Sequence, residues 1–150
     1  MNQESDTNAR LNDTTLGFSR DAAAAISGVE EGVSAEEAEA IAALPSASAL
    51  LIVRRGPNTG ARFLLDTDVT AVGRHPDADI FLDDVTVSRR HAQFVRSGTA
   101  FAVRDLGSLN GTYLGGERFD GECALSDGDE VQIGKYRLTF YASRHDVRTH

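Results

Sequence analysis

An all-β sandwich of about eleven short strands is the fold class this sequence predicts. Two observations carry that expectation. From Ala49 onward, short β-prone runs alternate with turn signals rich in Gly, Asn, Asp and Pro. Within the later runs, apolar and polar side chains alternate, as in Tyr136, Leu138 and Phe140 against Arg137 and Thr139. The first 33 residues lack both features, so the packed body is expected to begin later.

Residues 1–33 are rich in Asn, Asp, Glu, Ser, Thr and Gly, with few apolar positions and no period apart from Ala22 to Ile26. Such a stretch buries too little to offset its ordering entropy and reads as a disordered tail. Ser34-Ala35-Glu36-Glu37 then opens a short helix. Ser34 is placed to cap the amide three residues on while Glu37 reaches back, a capping box, and Pro45 stops the run. A helix of about ten residues is marginal in water unless it docks, so a transient helix in a linker is expected.

The strand-like runs follow in order: Ala49 to Arg55, ending at Gly56-Pro57-Asn58; Ala61 to Leu65; Val69 to Gly73; Ile80 to Leu82. Ala92 to Arg96 and Ala100 to Asp105 form a hairpin around Ser97-Gly98, with Phe101 and Val103 on one face and Ala102 and Arg104 on the other. Tyr113-Leu114 and Glu117 to Phe119 flank Gly115-Gly116, a loop suited to a primed turn. Asp127-Gly128 turns into Glu130 to Ile133, and Gly134-Lys135 into Tyr136 to Tyr141. Residues beyond Ser143 are expected to fray. The organisation expected is a regulatory tail over 1–47, a β domain over 48–143 and a loose end over 144–150.

Charge is uneven. Residues 1–45 hold nine acids against two bases, a net −7 of the chain's −8. An acidic tail on a nearly neutral body opposes nucleic-acid binding, which needs a basic face. Cys123 is the only cysteine, so no intrachain disulfide forms, and it reads as a small buried hydrophobe. No apolar run approaches the ~20 residues of a membrane span, and the N-terminus lacks a signal-peptide pattern; a cytoplasmic monomer without membrane contact is expected. His75, His91, His145 and His150 are scattered without paired carboxylates, so neither a metal nor a cofactor is expected.

Three loop blocks carry the chemistry: Gly73-Arg74-His75-Pro76, Ser88-Arg89-Arg90-His91 and Ser108-Leu109-Asn110-Gly111-Thr112. Each falls where a strand ends. Together they hold cations, hydroxyls and a primary amide, a set that suits a doubly charged, three-oxygen anion such as a phosphorylated side chain. Gly73 lets the chain turn without a Cβ. A rival reading is nucleophilic catalysis by Ser88, His91 and Asp105, but no nucleophile elbow surrounds Ser88, and the adjacent arginines would weaken a histidine base.

The spaced Gly-Arg, Ser-x-x-His and Asn-Gly-Thr blocks resemble the forkhead-associated (FHA) domain, a phosphothreonine-binding β-sandwich. The resemblance implies that Arg74, Ser88, Arg89, Ser108 and Asn110 contact the ligand, with Asn110 clamping its backbone. It implies structural roles for Gly73, His91, Gly111 and Thr112. Over roughly residues 48–141, Leu51 to Asn58, Gly73 to Asp77, Ile80 to His91 and Gly107 to Tyr113 are similar to one actinobacterial group. That group includes the glycogen accumulation regulator and the oxoglutarate dehydrogenase inhibitor. Its members carry an N-terminal Glu-Thr-Thr-x-x-Phe segment modified by serine/threonine kinases; Asp13-Thr14-Thr15-Leu16-Gly17-Phe18 has that spacing, with Asp for Glu.

The resemblance implies a non-enzymatic switch. The unmodified protein would engage metabolic enzymes such as the oxoglutarate dehydrogenase E1 component, glutamate dehydrogenase and glutamate synthase. Phosphorylation at Thr15 or Thr14 would create an internal ligand from the protein's own N-terminus and exclude them. The alternative is a plain adaptor for phosphorylated kinases, with an inert tail.

Overall fold

A computed structural model of the chain describes residues 33–147. The Thr14-Thr15 motif, Phe18 and the expected disordered stretch before Val33 lie outside the described residues.

One helix, α1 (Ala35–Ala42), precedes the strands among the described residues. Its start is the expected capping box: Ser34 Oγ accepts the Glu37 N–H and Glu37 Oε1 accepts the Ser34 N–H, both at 3.1 Å. Ile41 and Leu44 are buried, at 1% and 4% exposure. Docked apolar side chains hold this end of the helix, where a transient linker helix was expected.

Eleven strands follow: β1 (Ala49–Arg55), β2 (Arg62–Leu65), β3 (Val69–Gly73), β4 (Ile80–Phe81), β5 (Ala92–Ser97), β6 (Ala100–Asp105), β7 (Thr112–Leu114), β8 (Glu117–Phe119), β9 (Glu122–Ala124), β10 (Glu130–Ile133) and β11 (Tyr136–Ala142). Ten coincide with runs named from the sequence. The exception is β9, an edge strand whose Glu-Cys-Ala carries no periodic signal and which forms by pairing with β6.

The strands make two sheets, a six-stranded one in the order β2-β1-β11-β10-β7-β8 and a five-stranded one in the order β4-β3-β5-β6-β9. Their inner faces enclose one core. Leu51, Val53, Val131, Ile133, Leu138 and Phe140 come from the first sheet, and Val72, Phe94, Phe101 and Val103 from the second. The rings of Phe101 and Phe140 meet across the sheets with centroids 5.5 Å apart.

The register fixes which end is which. Ala49 pairs with Ala142 at one end of the β1–β11 ladder and Arg55 with Arg137 at the other. At the Ala142 end, Ser143 Oγ donates to the Leu44 carbonyl at 2.9 Å. Asp146 accepts from Ser46 Oγ at 2.6 Å and from the Ala47 N–H at 2.7 Å. Residues 143–147 therefore form a bonded turn, where fraying past Ser143 was expected.

At the other end, β3 runs directly beside the segment entering β5. The Arg74 N–H donates to the Ser88 carbonyl and the His91 N–H to the Val72 carbonyl, each at 3.0 Å. The approach is close enough that a Cβ on Gly73 would collide with the Arg89 carbonyl oxygen. Gly73→Ala must push two backbones apart and is expected to lower stability by about 1–3 kcal/mol. Urea unfolding would show this as a lower midpoint with an unchanged slope; an unchanged midpoint would mean the two segments separate freely.

Candidate functional site

The three loop blocks converge at the Arg55–Arg137 end, and a buried imidazole joins two of them. His91 is fully buried. Its Nδ1 accepts the Ser88 N–H at 3.1 Å, so the proton must sit on Nε2, which donates to the Gly111 carbonyl at 2.9 Å. Burial, the largest influence, lowers the His91 pKa below the ordinary 6.5; the Gly111 bond and the Asp105 charge oppose it without reversing it. The neutral ring is thus a rigid strut between the Ser88 and Asn110 loops.

Asp105 frames the second of those loops. Its Oδ1 accepts from Ser108 Oγ at 2.6 Å and Thr112 Oγ1 at 2.7 Å, and its Oδ2 accepts the Gly107 N–H at 2.9 Å and the Ser108 N–H at 3.3 Å. Burial pushes the carboxyl upward, but the bonds from Ser108, Thr112 and Gly107 outweigh it and hold the pKa below 3.8.

On this frame the side chains expected to reach a ligand take defined orientations. Arg74 Nε donates to the Val87 carbonyl at 2.9 Å. That bond fixes the guanidinium plane, and its Nη atoms make no hydrogen bond among the described residues. Ser88 Oγ accepts the Leu109 N–H at 3.0 Å, which leaves its own proton to donate elsewhere. Asn110 Nδ2 donates to the Thr86 carbonyl at 2.9 Å, leaving its amide oxygen as a free acceptor. Arg89 is exposed next to Ser88.

Ser108 departs from expectation. It is 7% exposed and its hydroxyl is committed to Asp105, so it belongs to the loop's frame, not to the open face. Gly73 packs against the Arg89 backbone, His91 bonds the Gly111 carbonyl, and Thr112 bonds Asp105. Sequence reasoning missed Thr86. Its Oγ1 donates to Asp84 and accepts the Lys135 N–H at 2.9 Å, tying the Ser88 loop to the β10–β11 turn. It also missed Asp105 as a frame, although Asp-x-Gly-Ser is a local side-chain-to-backbone turn signal. The catalytic alternative fails on geometry: His91 holds the Ser88 amide, not its hydroxyl, and Asp105 holds Ser108 and Thr112.

A two-sheet β-sandwich carrying these three loops at one end defines a forkhead-associated, phosphothreonine-binding domain, and the FHA domain family matches residues 70–134. The chain is 65% identical over 97 residues to the oxoglutarate dehydrogenase inhibitor of Corynebacterium jeikeium, covering 65% of this chain and 67% of that protein. It is 60% identical over 118 residues to the glycogen accumulation regulator GarA of Mycolicibacterium smegmatis, covering 79% and 71%. A solved FHA domain with phosphothreonine-dependent interactions superposes with a TM-score of 0.57 at 30% identity, covering 63% of this chain and 95% of that one. The chain belongs to the FHA-domain family, and its relatives there are the GarA and oxoglutarate dehydrogenase inhibitor proteins. The names of these relatives describe an inhibitor and a regulator.

The strut predicts a pH signature. The unfolded chain protonates its imidazole near pH 6.5, before the folded chain does. Stability is therefore intact above about 6.5 and falls as pH drops through the lowered folded value. The Asp105 contribution is present above 3.8 and is lost below it, a separate window. Urea unfolding at intervals from pH 8 to 5 would show the first slope, and following the His91 ring by NMR would place the titration. A stability flat across that range would contradict a buried neutral His91.

Proposed function

We propose that Arg74, Ser88, Arg89 and Asn110 bind phosphothreonine, and that the chain regulates enzymes at the 2-oxoglutarate node of carbon and nitrogen metabolism. The observation that carries the first half is the pair of aimed donors. Ser88 takes a hydrogen bond on its oxygen and so presents its proton outward, beside an Arg74 guanidinium oriented by Val87 and open at both Nη atoms. Two cationic nitrogens and a hydroxyl suit the oxygens of a phosphate. The free Asn110 oxygen suits a peptide N–H of the ligand. The names of the relatives, an inhibitor of oxoglutarate dehydrogenase and a regulator of glycogen accumulation, support the second half.

The regulation we propose is a switch. A serine/threonine kinase modifies Thr15 or Thr14, and the phosphorylated segment occupies the same loops and excludes the enzymes. Thr15 is the better ligand, because Phe18 lies three residues on as an aromatic anchor, whereas Gly17 follows Thr14 at that spacing. Burying such a ring contributes about 1.5–3 kcal/mol. About 18 residues separate Thr15 from the capped start of α1, and a flexible chain of that length would span on the order of 21–25 Å. β1 itself, which separates its own start from the loop end, is about 24 Å long.

Two outcomes are expected. Arg74→Ala or Ser88→Ala removes a charge-assisted hydrogen bond worth about 1.5–3 kcal/mol, so a labelled phosphothreonine peptide should bind roughly ten- to a hundredfold more weakly by anisotropy. Tight binding by Arg74→Ala would misplace the pocket. Phosphorylating Thr15 in the intact chain should shift the NMR signals of Arg74, Ser88 and Asn110 and abolish capture of oxoglutarate dehydrogenase E1. Unmoved loop signals would rule out closure, and equal closure in Phe18→Ala would rule out only the anchor.

A further inference from the structure

Directly opposed residues on neighbouring strands project to the same face of a sheet. Following the register across the six-stranded sheet at its loop end gives one lateral row. Arg118 opposes Tyr113, Tyr113 opposes Gln132, Gln132 opposes Arg137, and Arg137 opposes Arg55 across a β-bulge. Ile133 and Leu138, the neighbours of Gln132 and Arg137 along their strands, point into the core, so the row lies on the outer face. Arg55 and Arg118 are exposed and Arg137 half-buried. None of the three side chains makes a hydrogen bond or ion pair among the described residues.

The row is continuous with the site. Tyr113 and Gln132 line a surface pocket of about 350 Å³ together with Asn110, Thr86, Gly134 and Lys135. Arg118 reaches the site from its other edge: a Cβ on Gly111 would lie 2.5 Å from Arg118 Nε, so the side chain rests against the residue after Asn110. Gly111, at φ +85°, thus serves both the turn and the seating of this arginine.

We infer that this row is a second recognition element, which reads acidic residues flanking the phosphothreonine of a bound polypeptide. The inference rests on the phosphothreonine reading above. From β8 to β1 the row crosses four strand spacings, about 19 Å, which an extended peptide covers in roughly six residues. Three unpartnered arginines spread over that length complement carboxylates along one extended segment. Glu130, opposite Thr139, projects to the same face one row away, about 7 Å along the strand, so it does not interrupt the track. Guanidinium groups suit the role because they pair with carboxylates through a planar fork and keep their charge at any physiological pH.

The test uses the full unphosphorylated chain and labelled phosphothreonine peptides whose flanks carry Glu on one side, Glu on the other, or Gln throughout. Anisotropy should show one acidic peptide binding about three- to tenfold more tightly than the Gln peptide, as expected for two or three solvated ion pairs. The advantage should shrink in higher salt. It should vanish in R118Q/R137Q and diminish in Arg118→Gln alone, while affinity for the Gln peptide stays unchanged; circular dichroism checks that each variant folds. Equal binding of all three peptides, or a preference that survives R118Q/R137Q, overturns the inference and leaves the phosphothreonine site standing. Binding of none of them overturns both.

Discussion

The bond pair on the His91 ring is the constraint on which the loop end depends. A fully buried imidazole has one donor and one acceptor, and both need partners. The Ser88 amide supplies a proton to one nitrogen and the Gly111 carbonyl takes one from the other. Neither loop can move without leaving a buried polar atom unpaired, at a cost of about 1–3 kcal/mol. That penalty, not a regular ladder, keeps Ser88 and Asn110 in one place relative to each other.

Around this strut, each side chain of the open face is oriented by a neighbour that is not itself on the face. Val87 orients Arg74, the Leu109 amide orients Ser88, and Thr86 orients Asn110. Asp105 holds the strand-to-loop junction through four bonds. Among the described residues the frame contains no ion pair: Arg74 is held through the Val87 carbonyl. A face of this kind is organised before any ligand arrives, which lowers the ordering cost of binding.

The sequence made the sandwich legible where alternation was strong. In β11, Tyr136, Leu138 and Phe140 are all buried against half-buried Arg137 and Thr139, as their spacing requires. It failed at β9, because three residues at a sheet edge carry no period. It also underestimated both flanks of the domain, because Ser46 and Asp146 lie a hundred residues apart and nothing local announces their bond. Residue types and spacing picked out three loop blocks that the structure brings together at one end of the sandwich. They could not orient a hydroxyl. Ser88 and Ser108 look alike in the motif, yet one faces outward and the other turns in to Asp105. Arg118 was illegible for another reason: its place beside Gly111 follows from pairing register, which no single strand encodes.

Leu44 to Ala47 and Ser143 to Asp146 meet through three hydrogen bonds at the end of the sandwich remote from the loops. Topologically the domain is nearly a ring whose only seam lies there. Its order along the chain is then separable from its architecture: a short linker across the seam and a cut at an exposed turn such as Gly115-Gly116 would give a circular permutant with the same sheets. The same seam makes the domain insertable, since a host chain could leave and rejoin at neighbouring points. A host attached there would stand about 24 Å, the length of β1, from the end where the three loops converge.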